Sequence, residues 1–254
     1  MKIKMAEVYN AYIDKQNEKN NKERYVGNES YFHGSSAGKC IRKQYYSSVA
    51  QIAETNQPSE KSKRVMRFGT IFHEDIQTAV DTTLYNIYNN IYNNINIYIE
   101  EELKIESLNV RGFSDLILEI NPDDEDRKVI LYDFKTIGMF PFSIRFGFKP
   151  GMEPDEFAEL QIATYGLAVK ERFGQLDEMI LVFFEKNDQR MREVNVPLRY
   201  LVKARNYWEK VNRLAFAKSK PPIDGVNSPS AKWECKWSKG KCNYYDVCIG
   251  DTNE

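Results

Sequence analysis

The sequence predicts an α/β protein: a mixed central β-sheet flanked by helices, with its N- and C-terminal segments joined through cysteines. Three observations carry this. Apolar runs of strand length lie close together, near 95–106, 108–120 and 128–136, with polar breaks between them. Helical patterns stand before and after these runs, around Phe68–Ile76 and Glu159–Tyr165. The cysteines sit at the two ends alone, as Cys40 and then Cys235, Cys242 and Cys248.

Taken in order, residues 1–34 are polar and read as helix from Glu7 to Gln16. A second helix is expected around Cys40–Val49, then a polar linker over Gln51–Lys61. The next helix has Val65, Phe68, Phe72 and Ile76 as its apolar stripe, and His73 flanks that stripe. Tyr85 to Tyr98 is an Ile/Tyr/Asn-rich stretch that carries this helix into the first strand. The second and third strands read as a hairpin, because Asn121-Pro122-Asp123-Asp124-Glu125-Asp126 between them is an acidic turn. Gly138, Pro141, Gly147, Pro150, Gly151 and Pro154 mark an irregular loop before the Gln161 helix. Strands near 177–186 and 190–197 and a long helix over 198–218 follow, ended by Pro221-Pro222. This divides the chain into an N-terminal helical segment (1–62), a core (63–220) and a cysteine-rich tail (221–254).

The chemistry starts at Ile130-Leu131-Tyr132-Asp133-Phe134-Lys135-Thr136. Strand side chains alternate, so Asp133 and Lys135 share one face while Phe134 enters the opposite layer. Alone, the pair is an ordinary same-face ion pair. The hairpin, however, brings Asp115 toward Asp133, and an acid flanked by Phe113, Leu116 and Leu118 is costly to bury without a partner or a metal. On the later helix, Gln161 and Tyr165 stand at i, i+4 on one face. Two carboxylates and an ammonium at strand ends suit metal-assisted hydrolysis.

In order and spacing, His73, Gly112 to Asp115, Asp133 to Lys135, and Gln161 to Tyr165 resemble the motifs of the RecB-like branch of the PD-(D/E)XK nucleases. The resemblance covers roughly residues 35 to 250. It implies a restriction-endonuclease-like core and a metal-dependent DNA exonuclease acting on single-stranded ends, in DNA repair, recombination or phage DNA metabolism. Asp115 and Asp133 would then hold one or two Mg²⁺ or Mn²⁺ ions, with His73 and the Phe134 carbonyl completing the shell. Lys135 would orient the water, and Gln161 and Tyr165 would support the lysine and the scissile phosphate. The imidazole tilts the preference toward Mn²⁺. Alternatives are a CRISPR-adaptation nuclease trimming spacer precursors, a restriction-type endonuclease, and a non-catalytic DNA-binding subunit. The intact acidic and basic set argues against the last.

No apolar leader follows Met1-Lys2-Ile3-Lys4, so a cytoplasmic chain with reduced thiols is expected and disulfides are a poor default. The four cysteines then read as ligands to Zn²⁺ or an iron–sulfur cluster. Ser35 to Tyr46 around Cys40 is similar to the N-terminal signature of the RecB-like nucleases that carry a [4Fe–4S] cluster, the AddB-type and CRISPR-associated ones. That resemblance favours the cluster over zinc. The family's C-terminal triplet usually runs Cys-x2-Cys-x5-Cys, whereas here it runs Cys-x6-Cys-x5-Cys.

At 254 residues and net charge −1, the chain is not a globally basic nucleic-acid binder. Basic groups gather locally instead. Arg42 and Lys43 beside Cys40 are candidates for DNA contact, as are Arg145 and Lys149 in a loop with four phenylalanines, Phe140 to Phe148. No apolar run is long enough to span a bilayer. The Lys/Asn/Ile/Tyr-rich composition is that of an A/T-rich genome, pointing to a bacterium or its phage.

Overall fold

The computed structural model describes residues 4–25, 31–88, 94–148, 151–221, 234–237 and 240–250. Its main sheet has six strands: β1 (Phe32–His33), β2 (Ile95–Ile105), β3 (Val110–Ile120), β4 (Lys128–Ile137), β5 (Glu178–Glu185) and β6 (Met191–Asn195). β2, β3 and β4 form an antiparallel meander, β5 runs parallel to β4, and β6 closes the edge antiparallel to β5. The sheet is mixed, as expected. β4 pairs with only the far half of β3, from Leu116–Tyr132 to Ile120–Lys128. The short β1, which the sequence did not announce, runs parallel to the start of β3, with Phe32 opposite Val110.

Strand alternation divides the core. Ile117, Leu131, Leu181 and Phe183 face α5 (Phe157–Phe173) and α6 (Tyr200–Ala215). Leu116, Leu118, Phe134 and Val182 face α3 (Glu60–Tyr88), which contributes Ile76, Val80 and Leu84. α5 is buried continuously from Ile162 to Val169, because it lies between the sheet and α6. Trp208 of α6 is fully buried there and donates its indole N–H to Thr164 Oγ1 at 2.8 Å, so its polar edge is satisfied. Burial of a large side chain of this kind contributes roughly 1.5–3 kcal/mol.

Five details depart from the sequence reading. α1 (Met5–Tyr25) is longer than expected, and α2 (Ile41–Gln44) passes into a π-turn over Tyr45–Val49. A short helix, α4 (Met139–Arg145), occupies part of the expected irregular loop. Pro141 does not forbid it, because Gly138 is the N-cap and the first-turn N–H groups have no intrahelical partner to lose. α6 stops at Ala215, before the proline pair. The expected apolar stripe of α3 is only partly buried, and only from Phe72 onward; Val65 and Phe68 are exposed. Among the described residues, no helix is long and apolar enough to cross a membrane.

Candidate active site

The β3–β4 ladder ends at Leu116–Tyr132, one residue short of the two acids. Beyond it, the Asp115 carboxylate takes over the role of a backbone acceptor, and Phe134 N–H donates to its Oδ2 at 2.6 Å. The Phe134 side chain turns into the α3 layer and meets His73 edge-on, with centroids 6.0 Å apart. His73 of α3 reaches Asp115 from the other side, Nδ1 to Oδ1 at 3.4 Å. Burial lowers the His73 pKa, but the hydrogen bond and charge of Asp115 outweigh it and the net shift is upward. The structure therefore joins His73, Asp115 and Phe134 around one carboxylate.

Asp133 is 1% exposed. The Lys135 ammonium is ion-paired with its Oδ2, and Gln161 Nε2 donates to its Oδ1 at 3.2 Å. Burial pushes the Asp133 carboxyl up to about 6 against the pull of Lys135, and the nearby Asp115 charge adds to the rise. An anion so poorly solvated is a strong attractor for a cation.

Tyr165 lies one turn beyond Gln161, with its hydroxyl 3.4 Å from Gln161 Nε2. Its ring packs against the backbone of two glycines: a Cβ on Gly112 would stand 2.5 Å from Tyr165 Cε1, and one on Gly34 would stand 2.6 Å from it. The glycine of the Gly-x-x-Asp motif is thus a seat for the tyrosine of the helix motif. Gly112→Ala should destabilise the protein by about 1–3 kcal/mol, the usual cost of overpacking, and lower its melting temperature by several degrees. A thermal melt of the purified variant checks this; an unchanged melt would mean that the ring is not held against Gly112.

Two residues at the site carry no sequence signal. Gln77 of α3 is buried and bridges Glu100 Oε1 at 3.0 Å and the Asp115 carbonyl at 3.2 Å. Glu100 interrupts β2 with a left-handed backbone, φ 53°, at the position facing Asp115. The site forms the floor of a groove with two lobes. One, of about 590 Å³, contains His73, Asp115 and Arg111; the other, of about 920 Å³, contains Lys39, Lys135 and Arg145. Ser35 and Gln161 border both lobes.

The candidate DNA-contact residues lie in different settings. Arg145 is ion-paired with Glu159, donates to the Asp155 carbonyl at 2.9 Å and stacks on Phe183 at 4.6 Å, so it ties α4 to the start of α5. Lys149 lies outside the described residues. Arg42 is buried beside Tyr46 and, with Lys43, lines a separate hollow at the cysteines rather than the groove. Of the four loop phenylalanines, Phe142 is in the core and Phe146 packs on it, while Phe140 and Phe148 are exposed.

That hollow, of about 390 Å³, is lined by Cys40, Cys235, Cys242 and Cys248. None of the four is in a disulfide, and all are half-buried. The residues added between the first two tail cysteines form a hairpin, β7 (Lys236–Trp237) and β8 (Gly240–Lys241). It returns the chain so that Cys242 N–H donates to the Cys235 carbonyl at 2.9 Å. The longer spacing is thereby absorbed while the two cysteine backbones stay in contact. Cys248 follows on α7 (Tyr245–Gly250). The Cys235 thiol is pushed up to about 11, first by burial and then by the three other cysteines. Among the described residues, no three His, Cys, Asp or Glu side chains are arranged to hold a single metal ion.

No family model and no curated protein matches the chain. Among solved structures, SSO0001 aligns with a TM-score of 0.56 at 16% identity, over 96% of this chain and 97% of that one. The chain shares its fold. A provisionally assigned exonuclease from Eubacterium rectale aligns with a TM-score of 0.47 at 11% identity, over 90% of this chain and 97% of that one. The alkaline exonuclease LHK-Exo from Laribacter hongkongensis aligns at 0.47 and 10%, over 83% and 98%.

Proposed function

We propose that the protein is a divalent-metal-dependent deoxyribonuclease that hydrolyses phosphodiester bonds from single-stranded DNA ends. The observation that carries this reading is Asp133: a buried carboxylate paired with Lys135, which lines one lobe of the groove, and close to Asp115 and His73, which line the other. The donor set is hard oxygen with one imidazole, which suits Mg²⁺ or Mn²⁺. Asp115, Asp133, His73 and the Phe134 carbonyl would hold the ion. When bound, it supplies Lewis acidity at a phosphoryl oxygen and lowers the pKa of the attacking water.

The chain's own residues do the rest. For an ion to reach both carboxylates, Lys135 would have to leave Asp133 Oδ2, whereas His73 could keep its Nδ1 contact with Asp115 and offer Nε2. The freed ammonium would face the groove, where it could hold the attacking water and the charge that builds on the phosphoryl oxygens. Gln161 keeps its bond to Asp133 Oδ1 and fixes the plane of that carboxylate. Exposed Phe140 on the groove wall offers a stacking face to an unpaired base, which favours a single strand.

For the cysteine hollow we infer a [4Fe–4S] cluster, with Zn²⁺ as the alternative. Four thiols around a hollow suit a multi-atom cluster better than one ion, whose sulfurs must close to about 2.3 Å from a single centre. Their mutual repulsion as thiolates also calls for a cationic core.

The test is to incubate the purified protein with end-labelled single-stranded, duplex and covalently closed circular DNA in Mg²⁺ or Mn²⁺. Loss of label from the single strand, with the circle intact, is expected; cutting of the circle would indicate an endonuclease, and no cleavage with any substrate would sink the reading. His73→Ala should raise the Mn²⁺ concentration needed for half-maximal rate by about 10-fold, the usual effect of removing one ligand-shell group. An equal loss at all Mn²⁺ concentrations would show that the imidazole is no ligand.

A further inference from the structure

The groove has a cation that the chemistry above does not use. Three cationic side chains line its larger lobe: Lys135 is paired with Asp133, Arg145 with Glu159, and Lys39 has no ion pair or side-chain hydrogen bond among the described residues. Lys39 is half-buried, and it is near enough to Lys135 and Lys43 for their charges to act on it. Glu153 and Asp155 line the same lobe, and the charges of Asp155 and Glu234 also reach Lys39.

The turn that presents Lys39 is fixed from four directions. Gly34 lies under the Tyr165 ring. Gly38 has φ +80°, and a Cβ there would stand 2.8 Å from Leu160 and 2.9 Å from Phe157 of α5, so only glycine brings the turn this close. The Lys39 carbonyl accepts from Tyr207 Oη at 2.8 Å. The next residue, Cys40, donates its N–H to Glu234 Oε2 of the tail at 2.9 Å. A rigid backbone carrying a half-buried ammonium beside a catalytic lysine is preorganised for an anion.

We propose that Lys39 binds a backbone phosphate of the strand in the groove, beside the phosphate that reacts at Lys135, and that the C-terminal tail holds it in position through Cys40 and Glu234. This rests on the nuclease reading. It also gives the cysteine clasp a consequence at the active site: the residue next to the first cysteine contacts substrate.

Binding of 5′-fluorescein-labelled oligo(dT) is measured by anisotropy, with Ca²⁺ replacing Mg²⁺ so that the strand stays intact, at several salt concentrations. Lys39→Ala should weaken binding about 10-fold, and the slope of log K against log salt should fall in magnitude by about 0.7, the value for one phosphate contact on a single strand. Lys39→Arg should restore the slope and bring affinity to within about threefold. Inorganic phosphate serves as competitor: if Lys39→Ala changes only its inhibition constant and not DNA affinity, the site takes a free anion and the proposal fails. Equal losses in Ala and Arg variants with the wild-type slope would show a purely structural role and overturn it. Cleavage in Mn²⁺, run in parallel, separates the two readings. An active wild type with an unaffected Lys39→Ala variant defeats this inference alone. A wild type that binds but never cleaves, with the slope change present, defeats the nuclease reading alone. A wild type that does not bind DNA defeats both.

Discussion

Asp133→Asn and Lys135→Ala should each reduce cleavage by about 10³-fold or more, the scale on which a preorganised charged group acts, yet they should part company on stability. Asp133 is buried, and its carboxyl titrates at about 6 in the folded protein. An unfolded aspartate titrates near 3.9, so the folded state holds this proton more tightly. As pH rises from about 4 to 6 the ionised carboxylate costs stability, and above that the cost stays constant. Asparagine carries no such cost. Gln161, which now donates to Asp133 Oδ1, can turn its amide to accept from the new Nδ2. In EDTA at pH 7.5, Asp133→Asn should therefore melt at or above the wild type, and the gap should narrow at pH 5. Lys135→Ala instead strands the carboxylate. Breaking a buried pair costs up to about 3–5 kcal/mol, moderated here because Asp133 can take up a proton, so a fall of several degrees is expected. Melts at both pH values and a cleavage assay in Mn²⁺ decide the matter. Full activity in both variants, or an Asp133→Asn protein far less stable than the wild type, would remove Asp133 and Lys135 from the centre of the site.

That pair was legible in the sequence because strand alternation is strict: once Ile130 to Thr136 is a strand, Asp133 and Lys135 must share a face and Phe134 must enter the other layer. The hairpin was equally legible, since an acidic turn between two apolar runs leaves Asp115 little choice but to approach Asp133. What the sequence could not show is which contacts use up a side chain. Arg145 looks available in the chain, but Glu159, fourteen residues on, engages it in the fold. Arg42 and Lys43 look like surface charge, yet the turn of α2 aims them at the cysteine hollow. Gly112 and Tyr165 read as separate motif members, and only the packing of α5 on β3 reveals that one is the seat of the other. β1, with two residues, and α4, with seven, are too short to leave a periodic signal. Elements that depend on alternation survive in the sequence; pairings that depend on layers meeting do not.

The second large effect is expected at the cysteine hollow, where loss of one ligand should release a whole segment. Protein purified without oxygen should be brown, absorb broadly near about 400 nm and carry roughly four irons per chain. Cys40→Ala and Cys248→Ala should bleach it. The described part of the tail has little else to hold it. Tyr244 is its single buried hydrophobic, packed on Tyr46 at 5.6 Å, and its other anchors include polar contacts with Glu54, Thr55, Asn56 and the Cys40 N–H. Exposed and half-buried hydrogen bonds of that kind contribute about 0.5–1.5 kcal/mol each, short of the ordering entropy of the segment. On the proposed reading, metal–thiolate bonds supply the difference, as they do in small metal-dependent domains. Limited trypsin digestion should then cut the Cys40→Ala and Cys248→Ala proteins at Lys236 or Lys241 while the loaded protein resists. DNA binding should weaken in step, because Glu234 and Cys40 leave together and Lys39 loses its support. Stoichiometric zinc in a colourless protein, with the same protease pattern, would keep the clasp and reject the cluster. A metal-free protein whose tail stays protected without Cys40 would reject both, and would mean that Tyr244 and its polar neighbours hold the tail unaided.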